Sequence, residues 1–530
     1  MQIITKDISF TLPKGKQILH NINFSIGDQA KAALVGDNGT GKSTLLRIAS
    51  GTLSPQKGSI KVTGTSWFIP QHYGQFDSLT VAEALQIHPK ITALQAIENG
   101  LSDPSHFETL SEDWTIHERL QNALSQWGLF SVQADTPFRS LSGGQKTRVF
   151  LAGIELHHPD ILLMDEPTNH LDRPARQQLY HFIRQTSCTL LIVSHDRELL
   201  ELCNPIHELS SAGMQTYGGN YSFYEEQKQI ETEALEQKIE HTKKEISAAR
   251  KAHRETMQRK QKMDAQSARK GKTANLPPIV KNARGSKAEN SASRLKVYMK
   301  TKINTDVTRL QQLSKQRKEA KQIRVSVGHS PLHSGKILFE AKRMNVAYPD
   351  SDMLWNTPLS FVIRSGERIR ITGKNGSGKS TLIRTLHQQL KPAGGELIIQ
   401  TRSVFLLDQE YRLIGRERTV LEQAKLFNEN QKPDHELKTV LVRFLFDPDT
   451  WDQPCCTLSG GEMMRLSLCC LILQSSQPDV IMLDEPANNL DLRNIRILTD
   501  TIAAYQGTLI VVSHDEHFIR EIGIDCKLHL

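Results

Sequence analysis

A chain of 530 residues has room for two or three domains that each bury a full core, and 38% hydrophobic with 23% charged residues fits a soluble protein. No apolar run approaches the roughly 20 residues that span a bilayer, and the opening Met-Gln-Ile-Ile-Thr-Lys lacks the basic start and apolar stretch of a secretion signal, so a cytoplasmic protein is expected. The net charge of +8 conceals a contrast: residues 225–325 hold 26 Lys and Arg against 12 Asp and Glu, a net of +14, which leaves −6 for the remainder. A basic insert between two mildly acidic halves points to contact with a polyanion. The seven cysteines (Cys188, Cys203, Cys455, Cys456, Cys469, Cys470, Cys526) are odd in number, contain no C-x-x-C pair and sit in apolar surroundings, which predicts buried, reduced thiols.

In chain order, the first informative element is an apolar strand from Lys31 that runs into Gly36-Asp-Asn-Gly-Thr-Gly-Lys-Ser-Thr44 and then into an apolar helix expected from Leu45. The glycines at 36, 39 and 41 let the backbone of Asp37, Asn38 and Thr40 aim N–H groups at phosphate oxygens, and the following helix N-terminus adds a favourable dipole. Lys42 then faces the β- and γ-phosphates, Ser43 offers a hydroxyl to Mg²⁺, and Thr44 completes the loop. Farther on, Ile161-Leu-Leu-Met-Asp-Glu166 reads as a short buried strand ending in two acids. Alternation of side chains along a strand would turn Asp165 to the metal and Glu166 to the attacking water. Between them, Leu141-Ser-Gly-Gly-Gln145 opens a helix expected over 146–156, which makes a second anion-binding turn from Ser142, Gly143, Gly144 and Gln145.

The same order recurs, which marks a duplication. Gly373-Lys-Asn-Gly-Ser-Gly-Lys-Ser-Thr381 repeats the loop (Gly373, Lys374, Asn375, Gly376, Ser377, Gly378, Lys379, Ser380, Thr381), Leu458-Ser-Gly-Gly-Glu462 repeats the second turn (Ser459, Gly460, Gly461, Glu462), and Asp484-Glu485 repeats the acid pair. From Lys42 to Gln71 is 29 residues and from Lys379 to Gln409 is 30; from Asp165 to His195 and from Asp484 to His514 is 30 in both. Gln71 to Leu141 spans 70 residues against 49 from Gln409 to Leu458, so the first copy carries about 21 more residues, which we place around Leu85–Asp113. The second copy also has Ala487 and Asn489 where the first has Thr168 and His170. None of these changes removes a phosphate or metal ligand.

Between the copies, apolar Leu235, Ile239, Ile246 and Ala249, then Met299, Ile303, Val307 and Leu310, recur at helical spacing among charges, interrupted by Gly, Pro-Pro and Asn between Gly271 and Asn290. This predicts an antiparallel coiled hairpin beginning near Tyr224, each arm ~40 residues and 50–60 Å long at 1.5 Å per residue. Tyr298 is its one aromatic residue, and that scarcity argues for contacts to phosphates and folded RNA surface over base stacking.

These motifs, with Glu-Pro-Thr-Asn-His-Leu-Asp after the first strand and Tyr217-Gly-Gly-Asn-Tyr-Ser222 before the linker, resemble the F subfamily of ATP-binding cassette (ABC) proteins over nearly the whole chain. The resemblance implies an α/β fold of two P-loop cassettes, residues 1–224 and 326–530, joined by a long α-helical coiled hairpin, residues 225–325. It implies hydrolysis of ATP with Mg²⁺ held by Ser43, Gln71 and Asp165 at one site and by Ser380, Gln409 and Asp484 at the other. Glu166 and Glu485 would be the catalytic glutamates, and His195 and His514 the switch histidines. Each nucleotide would be sandwiched head to tail, Lys42 and Glu166 facing Ser459 and Gly461, Lys379 and Glu485 facing Ser142 and Gly144, within one monomer. Family members stack an aromatic on adenine about two dozen residues before the loop; Tyr348 stands there in the second copy, whereas the first has Leu12, Pro13 and only Phe10 nearby. Many members bind the ribosome, at ribosomal RNA and tRNA, and regulate translation or give resistance to ribosome-targeting antibiotics. Two other classes share parts of the pattern: the detached motor of a membrane transporter, which has no use for a +14 hairpin, and a DNA-binding ATPase, whose duplex phosphates a basic hairpin also fits.

Overall fold

The computed structural model describes residues 1–270, 297, 301, 303–313 and 332–530, apart from Lys14, Lys16, Ser102, Ser334, Asp350, Ser351, Asn375, Arg402, Asn430, Ser475 and Asn489. The chain divides into two compact units, one formed by 1–222 with 323–530 and the other by 223–322.

In the first unit each copy is built on a buried, mostly parallel sheet. In the first copy the strand order is Ser66–Ile69, Ile161–Asp165, Thr189–Val193, Lys31–Val35, Ile206–Ser210 and, antiparallel at the edge, Gly213–Tyr217. In the second it is Val404–Leu407, Val480–Asp484, Thr508–Val512, Arg368–Thr372 and Cys526–His529. The strands Ile161–Asp165, Thr189–Val193, Val480–Asp484 and Thr508–Val512 are buried at every position, which is why they read as continuous Ile, Leu and Val runs without alternation. Their register sets Asp165 beside Val193 and Asp484 beside Val512, so the acid pair and the histidine that follows the next strand leave the sheet at one edge. A three-stranded antiparallel sheet accompanies each copy, with Gln2–Thr11 central in the first and Ile337–Asn345 central in the second. Leu12 and Tyr348 lie just past the ends of those central strands.

The helical parts show what distinguishes the copies. Capping boxes open equivalent helices at Thr80 with Glu83 and at Thr419 with Glu422, each hydroxyl and carboxylate satisfying two otherwise orphaned backbone donors. After the first of these come two additional helices, His88–Glu98 and Pro104–Leu110, within the stretch where the spacing placed the extra residues. The chain then rejoins the common pattern at Ile116–Gln126, whose counterpart is Asp434–Arg443.

The second unit contains most of a 50-residue helix, Tyr221–Lys270, which starts three residues earlier and runs longer than the spacing predicts, about 75 Å at 1.5 Å per residue. Between Ile230 and Arg250 its buried or half-buried positions are Thr232, Leu235, Ile239, Thr242, Ile246 and Ala249, a 3-4-3-4-3 repeat that makes a coiled-coil seam. Thr242 is the member that apolar periodicity misses; its hydroxyl donates to Lys238 O (2.8 Å), so it enters the seam without an unsatisfied group. Ile303, Val307 and Leu310 are half-buried as the stripe predicts, while Met299, Tyr298 and the predicted tip, Gly271–Asn290 with Pro277 and Pro278, lie outside the described residues. None of the described helices is long and apolar enough to cross a membrane. All seven cysteines are free, but Cys456 and Cys526 are exposed, which corrects the expectation that every thiol is buried. Cys456 lies in a short turn of helix, Cys455–Thr457, and Cys526 opens the edge strand of its sheet, which pairs with a strand on one side only among the described residues.

Candidate nucleotide sites

The two loops have one geometry. Gly41 (φ 102°) and Gly378 (φ 90°) take left-handed backbone as N-caps of the helices Lys42–Ala49 and Lys379–Leu386. The helix therefore begins at the lysine, three residues before the expected Leu45, because the loop glycine completes the turn and the first helical N–H groups belong to Lys42, Ser43 and Thr44. Lys42 Nζ donates to Gly36 O (2.6 Å) and Asp37 O (3.0 Å), and Lys379 Nζ to Gly373 O (2.9 Å) and Lys374 O (3.0 Å), so each ammonium is folded over its own loop. Burial lowers the pKa of both lysines, opposed by nearby acids. The acids acting on Lys42 include Asp491 of the second copy, and those on Lys379 include Asp172 of the first.

The acid pairs are not arranged by strand alternation. Asp165 and Asp484 end their strands, but Glu166 (φ 51°) and Glu485 (φ 48°) have already left them in left-handed backbone, with their N–H groups donating to Val193 O and Val512 O (2.8 Å each). It is this turn, held by the neighbouring strand, that brings each glutamate to its histidine: His195 Nε2 is 3.3 Å from Glu166 Oε1, and His514 Nε2 is 3.3 Å from Glu485 Oε1. Burial raises both glutamates, Glu485 to about 7, and lowers both histidines, His514 to about 4. Lys42 is the main cation opposing the shift at Glu166, and Arg176 of the first copy is the main one at Glu485.

Burial also raises Asp165 and Asp484, and the hydroxyls of Ser43 and Ser380 hydrogen-bonded to them oppose this. One buried oxygen of each aspartate, Oδ1, has no hydrogen-bond partner. A carboxylate with an unmet oxygen beside a serine hydroxyl is a hard-oxygen donor set that fits Mg²⁺.

A cleft of about 380 Å³ opens over the first loop, lined by Leu12, Ile18, Asn38, Gly39, Gly41, Lys42, Ser43, Thr44, Gln71, Asp165, Glu166, Val193 and His195. Its lining comes wholly from the first copy, so Ser459 and Gly461 are not brought into it. What the second copy brings to this loop is Asp491, which accepts from Asn38 N (2.9 Å), and Arg493, which pairs with Asp37 (3.4 Å). Phe10 is not in the lining; it packs on the core of its sheet, and Leu12 and Ile18 provide the apolar wall instead. At the second loop Tyr348 is 40% exposed, with its hydroxyl 2.9 Å from Oγ1 of Thr381 on the loop helix. Gln409 is exposed, whereas Gln71 is half-buried in the cleft wall; Asn375 and Asn489 lie outside the described residues.

Ser142 and Ser459 are N-caps of Gly143–His157 and Gly460–Leu473, so these helices begin at the glycines and not at 146 as expected. Gln145 and Glu462 close capping boxes on them. Sequence reasoning missed Asp491, Arg493 and Arg176. The only signal for them was their place within four residues of the acid that ends each Leu-Asp motif, and nothing in that spacing says which copy they face.

The family model described as ABC transporter matches residues 19–169 and 357–488. The ATP-binding protein YdiF of Bacillus subtilis (strain 168) is 33% identical over 96% of this chain and 76% of its own length. ABC transporter F family member 5 of Arabidopsis thaliana is 30% identical over 96% of this chain and 72% of its own. Among solved structures, the complex of archaeal ribosomal stalk protein aP1 and archaeal ribosome recycling factor aABCE1 has a chain of TM-score 0.59 at 19% identity, covering 99% of this chain and 87% of that one, a likeness of fold.

Proposed function

The chain belongs to the F family of ATP-binding cassette ATPases, and on that premise we propose that it binds the ribosome with both sites closed on ATP and leaves on hydrolysis. In this reading the domains are 1–224, 225–325 and 326–530, and the protein modulates translation or protects against ribosome-targeting antibiotics as a cytoplasmic monomer. The observation that carries it is the +14 segment 225–325 set between two complete acid-histidine sites. Its charge is uneven: 225–245 holds 4 Lys and Arg against 7 acids, and 246–325 holds 22 against 5. Arg250, Lys251, Arg254, Arg259 and Lys262 are exposed there, so ribosomal RNA and tRNA phosphates would meet the part of the linker farther along the chain.

Each site would work through its own residues. Lys42 or Lys379 turns from its loop carbonyls to the β- and γ-phosphates. Glu166 or Glu485, as carboxylate, accepts the proton of a water attacking the γ-phosphorus; the new P–O bond forms as the bond to ADP breaks. His195 or His514 holds that carboxylate in place, and Tyr348 carries the base at the second site. Ser43, Gln71 and Asp165, or Ser380, Gln409 and Asp484, would hold Mg²⁺, which when bound neutralises phosphate charge. Ser142 and Gly144, or Ser459 and Gly461, would reach the opposite nucleotide as the halves close.

Pelleting with ribosomes tests the reading. The Glu166→Gln, Glu485→Gln chain with ATP should sediment with ribosomes and stall synthesis, and with ADP it should stay in the supernatant. A trapped chain that ignores ribosomes and copurifies with a permease or with DNA selects one of the other classes.

A further inference from the structure

Gln71, in the wall of the first cleft, is followed by a short turn of helix, Gly74–Phe76, whose Phe76 ring lies 4.9 Å from that of Phe150 on the helix capped by Ser142. Between Gln71 and that turn stands Tyr73, buried, with its own ring 5.3 Å from Phe150. The Tyr73 hydroxyl donates to Thr147 Oγ1 (3.2 Å), and the Thr147 hydroxyl donates in turn to Gly143 O (3.1 Å). A hydroxyl has one proton to give, so the two bonds run in sequence from the Gln71 loop to the first residue of the helix. Tyr73 and Thr147 are 8% and 2% exposed, so water does not make up a bond lost here. A second tie runs beside the first: Lys146 Nζ donates to Asp77 Oδ1 (2.5 Å) and stands over the Phe138 ring. The second copy can make neither, because Met463 and Met464 stand where the first has Lys146 and Thr147, and Gly415 where it has Asp77. Its Gln409 loop is braced from a different helix, Val420–Leu426, whose buried Gln423 donates to Leu413 O and accepts from Gly415 N (3.1 Å each). The first copy has Ala84 at that place.

Resting on the reading that Ser142 and Gly144 reach the nucleotide of the second site, we infer that Tyr73 is a positioning residue for that site, although it lies beside the first. Through Thr147 its hydroxyl fixes Gly143, and with it the turn 142–144, to the loop that carries Gln71. Nucleotide that moves Gln71 in the first cleft then moves the turn that serves the second. With methionines in place of Lys146 and Thr147, the second copy has no such link from Gln409 to Ser459.

The test is ATP hydrolysis by the full chain in two backgrounds, Glu166→Gln, which leaves the second site, and Glu485→Gln, which leaves the first. Tyr73→Phe keeps the ring and its packing and removes only the hydroxyl. It should lower kcat roughly fivefold in the Glu166→Gln background with KM within about twofold, and change the other background by less than about twofold. Thr147→Val should act on the same background, and the two changes together should lose no more than the larger loss of either alone, because they break one chain of bonds. Thr147→Ser, which returns the hydroxyl, should recover the rate. Equal losses in both backgrounds would reduce the pair to structural packing, losses that multiply would separate the two hydroxyls, and no loss at the second site would remove them from turnover; each overturns the inference. If Thr147→Val does not fold, Tyr73→Phe and Thr147→Ser carry the comparison, and a loss in Thr147→Ser equal to that in Tyr73→Phe overturns it. If one glutamate change silences both sites, labelling with 8-azido-ATP trapped by vanadate in the chain with both glutamates decides it: Tyr73→Phe should lessen the label on the second copy, and equal lessening on both copies overturns the inference. Failure of the underlying reading shows separately. Ser142→Ala would then leave hydrolysis at the second site intact, whereas if only the relay is wrong Ser142→Ala lowers it and Tyr73→Phe does not.

Discussion

At the residue scale, burial disfavours the charged form of both members of each glutamate–histidine pair, and in the proposed reaction only the ionised glutamate can accept the proton. Glu485 keeps its proton to about pH 7 in the folded chain, whereas a free glutamate loses it near 4.5. Between those values the native state binds the extra proton, so this group's contribution to stability falls as pH rises and levels off above 7. His514 works in the opposite direction, since its folded pKa of about 4 makes stability fall as pH drops below its usual 6.5. Comparing melting temperatures of the nucleotide-free wild type and Glu485→Gln from pH 5 to 8 isolates the glutamate. The wild type should lose up to roughly 3 kcal/mol relative to the variant over that range, and parallel curves would contradict the assignment. Tyr348 and Phe10 offer a second contrast. Tyr348→Ala should weaken ATP binding at the second site about threefold to tenfold, the worth of one aromatic stack. Phe10→Ala should lower thermal stability and leave nucleotide titration unchanged, because Phe10 packs on its sheet and Leu12 and Ile18 wall the cleft.

Among the elements, the 50-residue helix depends on a narrow seam. Ile239 and Ile246 are 3% and 5% exposed, the best-buried apolar residues of a helix otherwise covered in charge. Ile246→Ala should destabilise that unit by about 2–4 kcal/mol, read as a separate, earlier melting step by circular dichroism, while ATP hydrolysis by the cassettes persists. Thr242→Val should be close to neutral, because the hydroxyl it removes is already satisfied by its own helix. Deleting 271–290 should abolish any effect on translation in a cell-free assay and leave hydrolysis unchanged; equal loss of both would assign that segment to the ATPase machinery.

For the whole molecule, the proposed association with RNA would be a salt-dependent equilibrium, because residues 225–325 carry a net charge of +14. Neutralising Arg250, Lys251, Arg254 and Arg259 together should lessen the slope of log K against log salt by about one for each phosphate that is no longer neutralised. The cassettes, at −6, should contribute little to that slope. A slope unchanged by the substitutions would contradict the proposed contact between these residues and RNA phosphates.

The duplicated motifs were legible because nucleotide chemistry requires particular residues at short spacing: Gly36 to Thr44 and Gly373 to Thr381 carry their geometry within one turn of chain. The buried strands were legible too, since burial on both faces leaves an unbroken apolar run. Glutamate placement was not, because the left-handed turn at Glu166 and Glu485 is imposed by Val193 and Val512 on a neighbouring strand, about 27 residues along the sequence. Thr242 was hidden because a hydroxyl satisfied by its own helix packs like an apolar group. What the opposite copy supplies, Asp491 and Arg493 at the first loop and Arg176 near the second glutamate, involves charged residues that would read as solvated surface in any linear pattern. Local spacing determined which chemistry each copy can perform; packing of one copy against the other, between residues hundreds of positions apart, decided which charges each site receives.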